Sequence, residues 1–132
     1  MHQPSHMSGD RRQSLGQLGE DLACEELRRR GYAILERRYR TRFGEIDIVA
    51  EHHGVVVFVE VKARAGGGYG TGAEAVTAWK QRRVVQMAVD FVARRHLNGK
   101  PCRFDVVSVA VEDGRPRVEV IPDAFGADVW TG

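Results

Sequence analysis

Gly44-Glu45-Ile46-Asp47-Ile48-Val49-Ala50 and Val55-Val56-Val57-Phe58-Val59-Glu60-Val61-Lys62, joined by Glu51-His52-His53-Gly54, decide how this chain is read. Both runs are rich in β-branched residues and read as strands, and the four residues between them read as a tight connection, so the pair predicts a hairpin. If position 50 faces 55, Asp47 faces Phe58 and lies diagonally from Glu60 on the same side of the sheet, roughly 7–8 Å away along the backbone. Lys62 shares that side, because side chains alternate along a strand. Two carboxylates and a lysine at the ends of apolar strands need a reason to be there.

Metal-dependent phosphodiester chemistry supplies one. Mg²⁺, or Mn²⁺ in its place, takes carboxylate and water oxygens and is usually held by one or two carboxylates together with substrate phosphate. Asp47 and Glu60 suit that task, and Lys62 suits the steadying of an attacking water or the transition state. The bland alternative is a surface salt bridge from Lys62 to Glu60 or Asp47, which would contribute little.

Five stretches, in order along the chain, carry a family resemblance: Leu18-Gly19-Glu20-Asp21-Leu22-Ala23, Gly31-Tyr32, Gly44-Glu45-Ile46-Asp47, Phe58-Val59-Glu60-Val61-Lys62-Ala63-Arg64 and Arg103-Phe104-Asp105-Val106-Val107. Together they resemble the YraN-like family of small bacterial proteins, over residues 15–122. That family is similar to the restriction-endonuclease-like PD-(D/E)XK superfamily, and especially to the archaeal Holliday-junction resolvases. The resemblance implies a three-layer α/β fold, a central mixed β-sheet flanked by helices. It also implies a metal site of Glu20, Asp47 and Glu60 with Lys62 as the catalytic lysine. Ile46 stands where the superfamily's Pro-Asp pair has proline.

Size and composition set the outer limits. At 132 residues the chain is expected to form one domain over residues 15–132, preceded by a polar, disordered segment 1–14. No apolar segment reaches the length of a membrane span, and the first residues lack a signal peptide's apolar core, so a cytoplasmic protein with no membrane contact is expected. Cys24 and Cys102 have no metal-type spacing and read as reduced thiols.

The net charge of +2 hides a local excess. Residues 28–42 hold seven arginines against the single Glu36, and Lys80, Arg82, Arg83, Arg94 and Arg95 form a second basic group. Arg37, Arg38, Arg40, Arg42, Lys80 and Arg83 are therefore candidate phosphate contacts for DNA. Seventeen arginines against three lysines can equally be plain composition.

Along the chain, residues 15–30 read as a helix ending at Gly31, with Glu20 outside its apolar stripe beside Asp21, Glu25 and Glu26. Residues 32–39 read as a strand. The glycine-rich stretch 65–72 reads as a loop without the Gly-Lys-Ser/Thr ending of a P-loop. A second helix is expected from Thr77, an N-cap, to about residue 97, followed by a hairpin of residues 103–111 and 117–121 around a 112–116 turn. Asp105 reads as a partner for a neighbouring arginine, and His52 and His53 as solvated turn residues.

The function that follows is Mg²⁺-dependent cleavage of DNA, branched or otherwise structured. The competing class is an accessory protein that binds nucleic acid without cutting it, and a third is a scaffold whose acidic residues are only structural. The sequence assigns no oligomeric state, and a homodimer stays open.

Overall fold

A computed structural model describes residues 14–65 and 76–126. The expected leader before Ser14 and the glycine-rich loop beyond Ala65 lie outside the described residues. The elements run α1 (Leu15–Arg29), β1 (Ala33–Thr41), β2 (Gly44–His52), β3 (Val55–Ala65), α2 (Ala78–Arg94), β4 (Cys102–Glu112) and β5 (Arg115–Phe125).

Local chemistry sets the ends of α1. Ser14, expected in the disordered leader, is instead its N-cap. The Ser14 hydroxyl accepts the Gln17 N–H at 3.1 Å and the Gln17 side chain accepts the Ser14 N–H at 3.3 Å, a reciprocal capping box. At the other end Gly31, with φ +93°, turns the chain so that the Tyr32 N–H reaches the Leu27 carbonyl.

The five strands form one sheet in the order β1-β2-β3-β4-β5, antiparallel except for the parallel pair β3/β4. β3 is buried on both faces, which is why its sequence is a continuous apolar run rather than an alternating one. Val56 and Phe58 pack with Val84, Met87 and Phe91 of α2. Val57 and Val59 pack with Ala23, Cys24 and Leu27 of α1. The helices thus cover opposite faces, and the expected three-layer α/β architecture is present.

The β2/β3 turn is shorter than the sequence suggested. His53 and Gly54 alone form it, both with left-handed backbone (φ +52° and +80°), the geometry that matches strand twist in a two-residue hairpin. Ala50 consequently faces Val57, and Phe58 is opposite Val49, not Asp47. The register moves by two residues, an even number, so which residues share a face is unchanged. The β4/β5 turn contracts in the same way, from the expected five residues to Asp113-Gly114.

Pairing between β2 and β3 stops at Ile48↔Val59. Below that point β2 stays with β1 through Ile46, Glu45 and Gly44, while β3 stays with β4 from Glu60 to Ala65. The sheet forks there, and Asp47 and Glu60 are the first residues past the last pair.

Candidate functional site at the strand fork

A strand that loses its neighbour exposes backbone donors that need new partners. Asp47 meets that need: its Oδ2 accepts the Val61 N–H at 2.7 Å, so a side chain takes over where β2 departs. Glu60, next to Val61, is only 4% exposed and turns toward α2. There its Oε1 meets the Lys80 ammonium at 3.1 Å, while its Oε2 is buried without a hydrogen-bond partner among the described residues.

Both carboxyls are uncomfortable as anions. Burial pushes Asp47 up to about 6, against the opposing pull of the Val61 N–H. Burial, followed by the negative charge of Asp47, pushes Glu60 up to about 7. Lys80 offsets part of this and is itself held above its ordinary value by Glu60. Two such neighbours, one with an orphaned buried oxygen, fit a hard divalent cation.

Glu20 behaves differently. Gly19 lets α1 approach β3 closely, since a Cβ at that position would lie 2.6 Å from the Ala63 Cβ. This brings Glu20, 6% exposed, to the fork. Its Oε1 is taken by Arg37 at 2.7 and 3.1 Å and by Arg38 at 3.1 Å. Consecutive strand residues ordinarily point to opposite faces. Arg38 has a left-handed backbone, φ +55°, and stands between the pairs Arg37↔Ile48 and Tyr39↔Ile46, which lets both guanidinium groups reach one carboxylate. Among the described residues no three His, Cys, Asp or Glu side chains form a ready metal-ligand group, and Glu20, the expected third ligand, is held in ion pairs with Arg37 and Arg38.

Lys62 is exposed and lines a cavity of about 480 Å³ with Glu20, Arg38, Arg40, Glu45 and Asp47. Its wall includes the consecutive residues Val61, Lys62 and Ala63, because it opens on the edge of β3 that β2 leaves free. Asp47 and Lys62 therefore share this cavity, whereas Glu60 faces Lys80.

The other candidates are dispersed. Arg37 also pairs with Asp21 at 2.6 Å and Arg40 with Glu45 at 3.1 Å, so carboxylates from α1 and β2 consume part of the local positive excess. Arg42 lies over the Phe43 ring, and Arg83 donates to the Phe43 carbonyl. Asp105 is fully buried under a bidentate Arg103, the Tyr32 hydroxyl and the Asp123 N–H, the structural pairing expected for it. His52 is not a solvated turn residue. It ends β2, and its ring stacks on Tyr32 at 4.1 Å between centroids.

The contact that sequence reasoning did not find is Lys80 to Glu60. Thr77 signals the start of α2 and so places Lys80 in its first turn, but nothing in the sequence says where that turn lands on the sheet.

Comparison with known proteins finds relatives of this sequence. Residues 19–109 match the model of the uncharacterised protein family UPF0102. A UPF0102 protein of Symbiobacterium thermophilum is 51% identical over 114 residues, covering 86% of this chain and 97% of that protein. One from Syntrophotalea carbinolica is 46% identical over 119 residues, 90% of this chain and 97% of the relative. One from Anaeromyxobacter dehalogenans is 48% identical over 120 residues, 91% of this chain and 90% of the relative.

Proposed function

The chain belongs to the uncharacterised protein family UPF0102, and from that premise we propose that it is a Mg²⁺- or Mn²⁺-dependent endonuclease acting on branched or otherwise structured DNA. The observation that carries this reading is the meeting of Asp47 and Glu60 at the strand fork. Both are raised in pKa, and among the described residues one of the Glu60 oxygens is buried without a hydrogen-bond partner. A purely structural acidic pair would be expected to have its oxygens satisfied. The motif resemblance to the PD-(D/E)XK nucleases supports the same assignment.

Asp47 and Glu60 hold the cation in this reading. A divalent cation held by these two carboxylates would supply polarisation of the scissile phosphate and a lowered pKa for an attacking water. Lys62, exposed on the cavity beside Asp47, steadies the water and the charge that develops at phosphorus. Arg38 and Arg40 on the same cavity rim, together with Arg37, Arg42, Arg83 and the Lys80 beside Glu60, draw the phosphate backbone in. Glu20 keeps Arg37 and Arg38 oriented at the mouth and joins the metal site only if they release it. In this reading the protein works in the cytoplasm, alongside its DNA substrate; no helix among the described residues is long and apolar enough to cross a membrane.

The engagement of Glu20 by two arginines favours a second reading, an accessory protein that binds DNA and does not cut it. Incubating linear, flapped and four-way DNA with Mg²⁺ or Mn²⁺ separates the two. Cation-dependent nicks near a branch point support the endonuclease. Retarded but intact DNA across the panel moves the assignment to the binder.

A further inference from the structure

The first turn of α2 carries a large aromatic side chain that the core does not use. Trp79 is 58% exposed, while Val84 and Phe91 on the same helix are fully buried. The Arg83 guanidinium lies over the indole ring, 4.6 Å from its centroid, and is fixed by donating to the Phe43 carbonyl at 3.1 Å. Phe43 carries Arg42 over its own ring at 5.1 Å. Phe43, Trp79 and Arg83 line an open cleft of about 430 Å³ together with Arg82 and Gln86. Among the described residues its wall holds two aromatic rings, two guanidinium groups and one amide, and no carboxylate.

That inventory selects its ligand. A flat, electron-rich ring stacks on a flat base, cations beside it answer a phosphate, and an amide can read a base edge through both donor and acceptor. We propose that this cleft binds an unpaired nucleotide, its base stacked at Trp79 and its phosphate held by Arg82 and Arg83. A base inside continuous duplex has no free face to offer, so the cleft discriminates by strand structure rather than by sequence.

Its position ties it to the fork. Lys80, adjacent to Trp79, reaches Glu60 at 3.1 Å, and Phe43 immediately precedes β2, the strand that carries Asp47. A nucleotide seated at Trp79 therefore belongs to a strand passing within a short reach of the carboxylates. The inference rests on the nucleic-acid reading above and narrows it, from structured DNA in general to DNA with an unpaired nucleotide beside the site.

The chain has two tryptophans, so Trp130→Phe leaves Trp79 as the only indole and makes its emission a direct report. With Ca²⁺ replacing Mg²⁺ to suppress cutting, this variant is titrated with a short oligothymidylate, a perfectly paired hairpin, and inorganic polyphosphate. Oligothymidylate should quench the emission and polyphosphate should not. Adding Trp79→Ala should weaken oligothymidylate binding roughly tenfold or more, Trp79→Phe should keep most of it, and hairpin affinity should change less than twofold. Trp79 is exposed, so unchanged melting in all three proteins is the expected check on folding.

Tight oligothymidylate binding with no change in emission and no effect of Trp79→Ala overturns the proposal. A change in sedimentation on Trp79→Ala, without an effect on nucleotide binding, also overturns it and assigns the face to self-association. Quenching by oligothymidylate with no DNA cut in Mg²⁺ leaves the cleft standing while the endonuclease falls. Absence of any nucleic-acid binding removes both.

Discussion

Lys80 Nζ lies 3.1 Å from Glu60 Oε1, and the second oxygen of that carboxylate is buried without a hydrogen-bond partner among the described residues. The ammonium sits beside the carboxylate proposed to receive a divalent cation, so it is the internal counter-charge of the cation-free protein. Removing it leaves Glu60 as a buried charge without its ammonium partner, with only the backbone hydrogen bond at Asp47 still favouring the anion. Lys80→Met should cost roughly 1–2 kcal/mol at pH 8, less than a fully buried pair because Lys80 is 46% exposed. At pH 5, where Glu60 is protonated, the cost should nearly vanish. Denaturant midpoints at the two pH values measure the difference, and equal losses at both would mean that Lys80 contributes packing rather than charge.

The same raised carboxyls give stability a pH slope. In the unfolded chain both groups titrate near 4, whereas in the folded protein Asp47 titrates at about 6 and Glu60 at about 7. Between those values the folded state holds more protons, so the contribution of the pair is fully present below about pH 4 and lost as the pH rises to about 7. Asp90, held down by the Tyr39 hydroxyl, works in the opposite direction, so the pair is isolated by difference. Subtracting the pH profile of Asp47→Asn with Glu60→Gln should leave a stability that falls with rising pH. A flat difference would show that the carboxyls are not raised.

How much of this was legible in the sequence depends on the range of each interaction. β3 announces itself because a strand buried on both faces must be apolar throughout, and α1 because its apolar spacing ends at Gly31. The proximity of Asp47 and Glu60 was also legible, although the His53-Gly54 turn moved the register by two residues. The face assignment survived only because that shift is even. The Lys80 contact was not legible, since it depends on how the crossover delivers α2 to the sheet. Neither was the grip of Arg37 and Arg38 on Glu20: it needs a left-handed backbone at Arg38, and arginine carries no signal for one.

Divalent cations should stabilise the protein by mass action, since the folded state offers Asp47 and Glu60 together and the unfolded chain does not. At a hundredfold excess over the dissociation constant the gain is about 2.7 kcal/mol, which thermal melting reads directly. Millimolar Mn²⁺ should raise Tm in the unmutated protein, and Asp47→Asn with Glu60→Gln should erase the rise. An unchanged Tm in millimolar Mn²⁺ removes the metal site.

The arginines make a separate, salt-dependent prediction. Each phosphate contact that is lost lowers the slope of log K against log salt by about one unit. Arg37 and Arg38 are engaged by Glu20 and Arg40 by Glu45, so neutralising all three should reduce the slope by less than the full three units. Glu20→Gln should act in the reverse sense, freeing guanidinium groups and steepening the slope. Binding titrations between 50 and 200 mM salt, on the order of the range where such slopes are read, test both. If neither variant moves the slope, these arginines serve the fold alone.

Lys62 separates chemistry from binding. It is exposed on the cavity that also contains Asp47, and it makes no ion pair with either carboxylate, so its removal leaves the Asp47 and Glu60 geometry intact. Lys62→Ala should therefore melt within about 0.5 kcal/mol of the unmutated protein, as exposed substitutions do. It should keep the Mn²⁺ stabilisation and most of the DNA affinity. Cleavage should fall by a hundredfold or more, in the range of about 10²–10³ found when one group that stabilises transition-state charge is removed. Binding and turnover come apart only if Lys62 acts on the water or the transition state. A Lys62→Ala protein that cuts at the normal rate would transfer that role to Lys80, whose ammonium is already within hydrogen-bond distance of Glu60. The metal-site assignment would then stand with a different lysine beside it.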